Sequence, residues 1–169
     1  MSKIFLRELL LSDIENVMTW VNDERLVKNF QNFDKVLTRE EELVILEKLI
    51  ASQNDKCFSI FRRNDGKYLG QGSINQISRK NKLGRLSLFL KPEFWGQKYA
   101  QEAVGLLVQH AFECLGLHKV WLMVWATNEK ALHVYRGCGF EAEGTLREEY
   151  FWRGKHHDMV RMGKINKGE

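Results

Sequence analysis

Arg85-Leu86-Ser87-Leu88-Phe89-Leu90, Lys91-Pro92-Glu93 and Phe94-Trp95-Gly96-Gln97-Lys98-Tyr99-Ala100 follow one another and decide how the rest of the chain is read. The first segment has the pattern of an apolar strand, and the last is a glycine-bearing turn. Beyond it Ala100, Ala103, Val104, Leu107, Val108, Ala111 and Leu115 recur at three- and four-residue steps, with Gln101, Glu102, Gln109 and Glu113 opposite. That period predicts a long amphipathic helix. A turn that empties a strand into a helix start leaves backbone N–H groups without intrahelical partners. With the positive end of the helix dipole, they suit a phosphate or pyrophosphate. An ordinary strand-to-helix connection has the same pattern, and from this stretch alone both readings are open.

Downstream, Lys119-Val120-Trp121-Leu122-Met123-Val124-Trp125 is apolar on both faces, which predicts a central strand covered on both sides. Strand, turn, helix and strand make a β-α-β unit with parallel strands. Thr127 or Asn128 is expected to cap a helix from Glu129 to Arg136 that ends at Gly137 or Gly139. Two closing strands are expected near Phe140 to Glu148 and His157 to Ile165, with a turn at Arg153-Gly154-Lys155. Upstream, Cys57 to Phe61 and Tyr68 to Ile77 flank Asp65-Gly66, a hairpin signal, and Gly70 and Gly72 point to a bulge or a close backbone approach.

Lys3 to Leu9 reads as a first strand. Ser12-Asp13 offers an N-cap ahead of Ile14, Val17, Met18 and Val21, and Asn22 to Asn32 reads as a short second helix and its exit. Thr38-Arg39-Glu40-Glu41 reads as a capping box that opens a helix with Leu43, Leu46, Leu49 and Ile50 inward. The expected fold class is α+β: a mixed, mostly antiparallel sheet with a central β-α-β unit and helices on both faces, in one domain over residues 1–169.

With 44% hydrophobic residues in 169, the chain has enough apolar material for a substantial core. No apolar run is long enough to span a membrane, and Lys3, Arg7 and Glu8 interrupt the N-terminal hydrophobes, which argues against a signal peptide. Cys57, Cys114 and Cys138 are odd in number and match no zinc spacing, so reduced thiols, a cytoplasmic location and no metal are expected. Cys114 and Cys138 sit among apolar residues and are expected to pack in the interior rather than act as nucleophiles. The net charge of +4 comes from scattered cations, which argues against a nucleic-acid partner and suits a polyanionic cofactor.

Three stretches resemble the GNAT superfamily of acyl-CoA-dependent N-acetyltransferases, in its ribosomal-protein N-terminal and spermidine acetyltransferase branch. They are Pro92 to Ala103, Asn128-Glu129-Lys130-Ala131-Leu132-His133-Val134-Tyr135-Arg136-Gly137-Cys138-Gly139-Phe140, and Glu143-Gly144-Thr145-Leu146-Arg147. The resemblance spans Lys56 to Ile165 and implies acetyl-CoA as acetyl donor. It implies that the turn Trp95, Gly96, Gln97, Lys98, Tyr99 and Ala100 holds the pyrophosphate and that the strand edge at Leu88-Phe89-Leu90 pairs with the pantetheine amides. A backbone N–H near Phe89 or Leu90 would polarise the thioester carbonyl. Asn128 would reach the pantetheine with its side-chain amide, and Lys130 joins the implied cofactor set. Tyr135 is the expected general acid that protonates the departing thiolate; a half-buried residue packed beside Ala131 and Val134 is the structural alternative.

Two positions depart from the family's pattern. Lys98 stands where the turn usually has glycine; if that position needs φ > 0, lysine costs on the order of 1 kcal/mol, which pairing with a phosphate would offset. Arg85 stands where many relatives carry a glutamate that deprotonates the amine through water, and a guanidinium cannot act as that base. Glu148, Glu149, His156, His157 and Asp158 are the remaining candidates for a base. Trp20, Phe30, Phe33 and Trp152 are candidates for an acceptor pocket. The expected activity is direct transfer of acetyl to a primary amine, a polyamine or other small amine, with a peptide or ribosomal-protein N-terminus as the alternative. A catalytically inactive CoA-binding module is the rival reading, and the resemblance leaves a homodimer open.

Overall fold

The computed structural model describes residues 1–27 and 35–168. Seven strands form a single sheet in the order β1-β2-β3-β4-β5-β7-β6. In sequence they are β1 (Ile4–Glu8), β2 (Lys56–Arg62), β3 (Tyr68–Ser78), β4 (Leu83–Leu90), β5 (Lys119–Trp125), β6 (Glu141–Trp152) and β7 (Lys155–Ile165). The helices are α1 (Ile14–Met18), α2 (Glu24–Val27), α3 (Arg39–Ala51), α4 (Tyr99–Gln109) and α5 (Glu129–Gly137). All neighbouring pairs are antiparallel except β4 and β5, which run parallel and are joined through α4. The mixed sheet and its β-α-β unit are those the sequence predicts.

Locally encoded features are in place. Asp65 and Gly66 turn β2 into β3, with Gly66 at φ +69°. Arg153 (φ 49°) and Gly154 (φ 75°) make the two-residue turn between β6 and β7, as the left-handed geometry of a tight hairpin requires. Thr38 and Glu41 form the reciprocal capping box at the start of α3, at 3.2 and 3.0 Å. Gly70 is a close approach: a Cβ there would lie 2.0 Å from the carbonyl oxygen of Phe89 on β4.

Several expectations need correction. Asp13 does not cap α1 with its side chain. It is buried and accepts from Arg7 at 2.6 and 3.1 Å, from the Leu10 N–H at 2.9 Å and from the Ser59 hydroxyl at 2.9 Å. The second helix is described over Glu24–Val27, with Asn22 and Asp23 in the turn before it; the part of the expected span beyond Val27 lies outside the described residues, as do Phe30 and Phe33. On α3 Leu46 is buried and Leu43 and Leu49 pack against the same core as expected, but Glu42 is buried with them and Ile50 is exposed. Cys114 is exposed and Cys57 is the buried thiol, because the chain turns at Cys114 before Leu117 re-enters the core. The expected long helix ends as an α-helix at Gln109 and continues as one wide turn, His110–Cys114, with the Leu115 N–H on the His110 carbonyl at 3.1 Å. β6 runs four residues beyond the expected end, to Trp152.

β5 is central, but its two faces differ. Val120, Leu122 and Val124 are buried against α4 and α5, with Leu86, Val104, Leu107, Leu132 and Phe140. Trp121, Met123 and Trp125 are half-buried on the other face. There arginines cover Trp121, and Tyr150 and His157 pack on Trp125, in place of a helix. A second core lies under α1 and α3, where Trp20 stacks on Phe89 at 5.6 Å and donates its indole N–H to Tyr68 at 2.8 Å.

Glu42 lies in the packed layer under α3 with Oε2 unpartnered among the described residues, and burial pushes its pKa up to about 7. The folded chain therefore holds a proton there that the unfolded chain releases near its ordinary 4.5. Folding pays no penalty below that value, loses stability as pH rises through about 7, and above it carries a cost of about 3 kcal/mol. Glu42→Gln is expected to raise the melting temperature at about pH 8 and leave it nearly unchanged at about pH 4. Equal shifts at both values, read by thermal denaturation, would contradict this.

Candidate functional site

The parallel contact between β4 and β5 lasts for three residue pairs, Leu83–Lys119, Gly84–Val120 and Arg85–Trp121. Past Arg85 the strands part, and β4 continues to Leu90 with β3 on one side and no strand on the other. The Lys82 carbonyl accepts from His118 and Lys119 across the parallel contact, whereas the Lys91 N–H donates to Leu69 of the β3 side at 2.9 Å. Backbone groups alternate sides along a strand. Leu86, Leu88 and Leu90 therefore turn theirs toward the cleft, and Phe89 turns its own toward β3. Of the two donors named from the sequence, Leu90 turns its N–H to the open side of β4 and Phe89 does not; Leu88 shares the side of Leu90. Counting by twos from the hairpin would have given this.

The turn after β4 is built to expose donors. Pro92–Phe94 makes a short 3-10 turn, and Trp95 sends its indole N–H to the Leu90 carbonyl at 2.9 Å, which pins the turn to the strand end. Gly96 (φ 73°) and Lys98 (φ 66°) are both left-handed. Among the described residues the N–H groups of Gln97 to Gln101 donate to no other backbone group, and they sit at the N-terminus of α4. Gln97 is tied by its side chain to the Glu93 carbonyl at 3.0 Å. Tyr99 is buried against Phe94, so it offers only its backbone to the cleft mouth, and Ala100 is half-buried beside it.

Lys98 thus bears the conformational cost anticipated for it. Its side chain is exposed and forms no ion pair among the described residues. Lys98→Gly is expected to gain up to about 1 kcal/mol of stability from relieved strain. It is also expected to weaken acetyl-CoA binding about two- to fivefold through loss of one exposed phosphate partner. Titration calorimetry checks this, and tighter binding by the glycine variant would contradict it.

α5 begins where β5 ends. Asn128 caps it, with Oδ1 accepting the Ala131 N–H at 3.1 Å, and its amide Nδ2 has no hydrogen-bond partner among the described residues. Lys130 is exposed on the first turn. Tyr135 lies on the inner side of α5, which packs on α4, with its ring edge-on to Phe140 at 5.9 Å. Burial, with a smaller contribution from the Cys138 thiol, pushes its phenol up to about 12. It is therefore a proton donor across the physiological range. Burial raises the thiols of both Cys57 and Cys138, which makes them poor nucleophiles.

The candidate bases scatter. The Glu148 N–H binds Asp158 at 2.8 Å, His156 packs on Phe151 at 5.0 Å, and His157 packs on Trp125 at 4.4 Å, along β6 and β7. Trp20 belongs to the core under α1, and Trp152 stacks with Arg153. Arg85, at the point where the cleft begins, lies over Trp121, an association between distant strands that no local pattern signals.

An open strand edge and a donor-rich helix start at one end of it together accommodate a long cofactor with a pyrophosphate and an amide-bearing arm. Such a splayed parallel pair defines an acyl-CoA-dependent acetyltransferase fold. The chain belongs to the GNAT acetyltransferase family: the Acetyltransferase (GNAT) domain matches residues 3–141. It is 31% identical over 118 residues to spermidine N(1)-acetyltransferase of Escherichia coli K12, covering 70% of this chain and 62% of that enzyme's length. It is 27% identical over 166 residues to the Vibrio cholerae spermidine N(1)-acetyltransferase, covering 95% of this chain and 92% of that one. A crystal structure of the V. cholerae spermidine N-acetyltransferase in complex with CoA and spermine superposes with a TM-score of 0.90 at 25% identity, over 98% of this chain and 96% of that one. No described helix is long and apolar enough to cross a membrane.

Proposed function

We propose that the protein transfers an acetyl group from acetyl-CoA to a primary amine by direct attack within a ternary complex. The observation that carries this reading is the cleft beyond Arg85, whose one edge is β4 backbone and whose mouth is the unpaired N–H groups at the start of α4. The pyrophosphate would bind at Trp95 to Ala100 and the pantetheine along Leu88 and Leu90, with Asn128 donating from the far wall and Lys130 near the cofactor. An N–H of Leu88 or Leu90 would hold the thioester oxygen as charge develops on it. The amine would attack the thioester carbon, the C–S bond would break as Tyr135 protonates the leaving sulfur, and the proton shed by the attacking nitrogen would pass through water to restore the Tyr135 phenol. The apolar surroundings that raise the phenol keep it protonated and so able to donate.

Polyamines are the acceptors named for the relatives, and they are one class to test beside other small amines and peptide N-termini. The decisive experiment is calorimetric titration of acetyl-CoA into the purified chain, followed by a CoA-release assay over an amine panel. Micromolar binding with amine-dependent CoA release is expected. Binding without release for any amine would favour the inactive CoA-binding module, and absence of binding would overturn the proposal.

A further inference from the structure

The face of the sheet that carries Arg85, Ser87 and Phe89 also carries Trp121 and Met123 of β5 and Arg161 of β7, because directly paired residues share a face. Two guanidiniums lie over the one indole: Arg161 at 4.0 Å and Arg85 at 5.5 Å from the ring centroid of Trp121. Cation–π attraction accounts for their stacking but leaves the polar atoms unsatisfied. Arg85 Nε and Trp121 Nε1 are both shielded from solvent and hydrogen-bond to nothing among the described residues. Both are N–H donors, so what each lacks is an acceptor.

The local charge points the same way. The carboxylate that pairs with the cluster among the described residues is Glu143, which meets Arg161 at 3.4 Å and is shared with Lys119. Arg85 forms no ion pair among the described residues; Asp55, the carboxylate nearest its strand partner Asn75, is engaged by the Asn75 amide at 3.2 Å and the Gln76 N–H at 3.1 Å. Burial first, and the neighbouring Arg161 second, work against the charge of Arg85. A buried donor without an acceptor and two like charges over one ring are each unfavourable, and one incoming oxyanion relieves both.

The position gives this anion site its purpose. Arg85 is the last residue of β4 paired with β5, so it stands at the closed end of the cleft. An arm anchored at the turn and lying along β4 runs from Leu90 back toward Arg85, about 17 Å at the rise of a strand. Its acyl end would arrive beside the cluster.

We propose that Arg85, Arg161 and Trp121 form an acceptor subsite for an oxyanion, so that the preferred amine carries a carboxylate or phosphate besides the group acetylated. This rests on the acetyltransferase reading and narrows its acceptor. A polyamine offers nothing to these donors and brings ammonium groups against two guanidiniums.

The test uses the full chain with acetyl-CoA and matched amines: γ-aminobutyrate against butylamine, phosphoethanolamine against ethanolamine, and spermidine. The acidic member of at least one pair is expected to exceed its uncharged partner, and spermidine, by about tenfold or more in kcat/KM. Whichever acidic pair shows the preference tells carboxylate from phosphate. Arg85→Gln and Arg161→Gln are each expected to reduce that preference by about ten- to a hundredfold, with acetyl-CoA affinity unchanged by calorimetry. Arg161 is the more exposed of the two and serves if the Arg85 variant does not fold.

Spermidine or butylamine as the better acceptor, or an acid preference that survives both substitutions, would overturn the proposal. If acetyl-CoA binds and no amine turns over, γ-aminobutyrate and phosphoethanolamine are titrated into the CoA-loaded protein. Absence of arginine-dependent binding there overturns it as well. Failure to bind acetyl-CoA overturns the acetyltransferase reading instead, and the same titration without CoA then decides the anion site.

Discussion

Tyr135→Phe is expected to lower kcat by about a hundredfold or more and to leave acetyl-CoA affinity within about twofold. The ring stays, and with it the edge-on contact to Phe140 and the packing between α4 and α5, so the variant removes only the hydroxyl. Because burial pushes the phenol up to about 12, its loss of a proton cannot limit the rate below about pH 11. The wild-type rate should therefore rise on the alkaline side as the amine loses its proton, with no fall assignable to Tyr135. Stopped-turnover measurements of CoA release across that range read both effects. Wild-type activity in the phenylalanine variant would show that solvent or another group protonates the thiolate.

Asp13→Ala is expected to cost about 3–5 kcal/mol, the largest stability loss for any single substitution considered. Asp13 accepts four hydrogen bonds from β1, its own turn and β2, and removing it leaves the Arg7 guanidinium and the Ser59 hydroxyl facing a gap. Burial works to raise its pKa, but the donors from Arg7, Leu10 and Ser59 prevail and hold it below the ordinary carboxylate value. A depressed folded pKa contributes stability that is present above the unfolded value of 3.8 and lost as pH falls through the folded one. Urea denaturation should show the penalty at neutral pH and a smaller one in acid. A loss under about 1 kcal/mol at neutral pH would mean the network is worth no more than a surface pair.

Features set by a few adjacent residues were legible in the sequence. The Asp65-Gly66 and Arg153-Gly154 hairpins and the Thr38 capping box are specified by which residue tolerates which backbone angle, or by which side chain reaches the next turn. Lys98 was legible as a conditional statement, and its φ of 66° supplied the condition. Features set by distant partners were not legible. Asp13 looked like a helix cap because its partner Ser59 is 46 positions away in the chain. Glu42 and Ile50 exchange roles because the position of α3 over β2, which residue spacing does not specify, decides which side of the helix is covered. The Trp121 face of β5 read as buried because nothing local shows that arginines from β4 and β7 cover it.

The wide turn His110–Cys114 has a consequence for what the chain tolerates. It takes up an extra residue at the end of α4 while Leu117 and β5 keep their places against the core. Deleting one residue there would let the segment close as an ordinary α-helical turn, with Val120, Leu122 and Val124 still facing inward. The same deletion inside β5 would carry every following side chain to the opposite face of the sheet. The end of α4 should therefore tolerate a change in length that the strand does not.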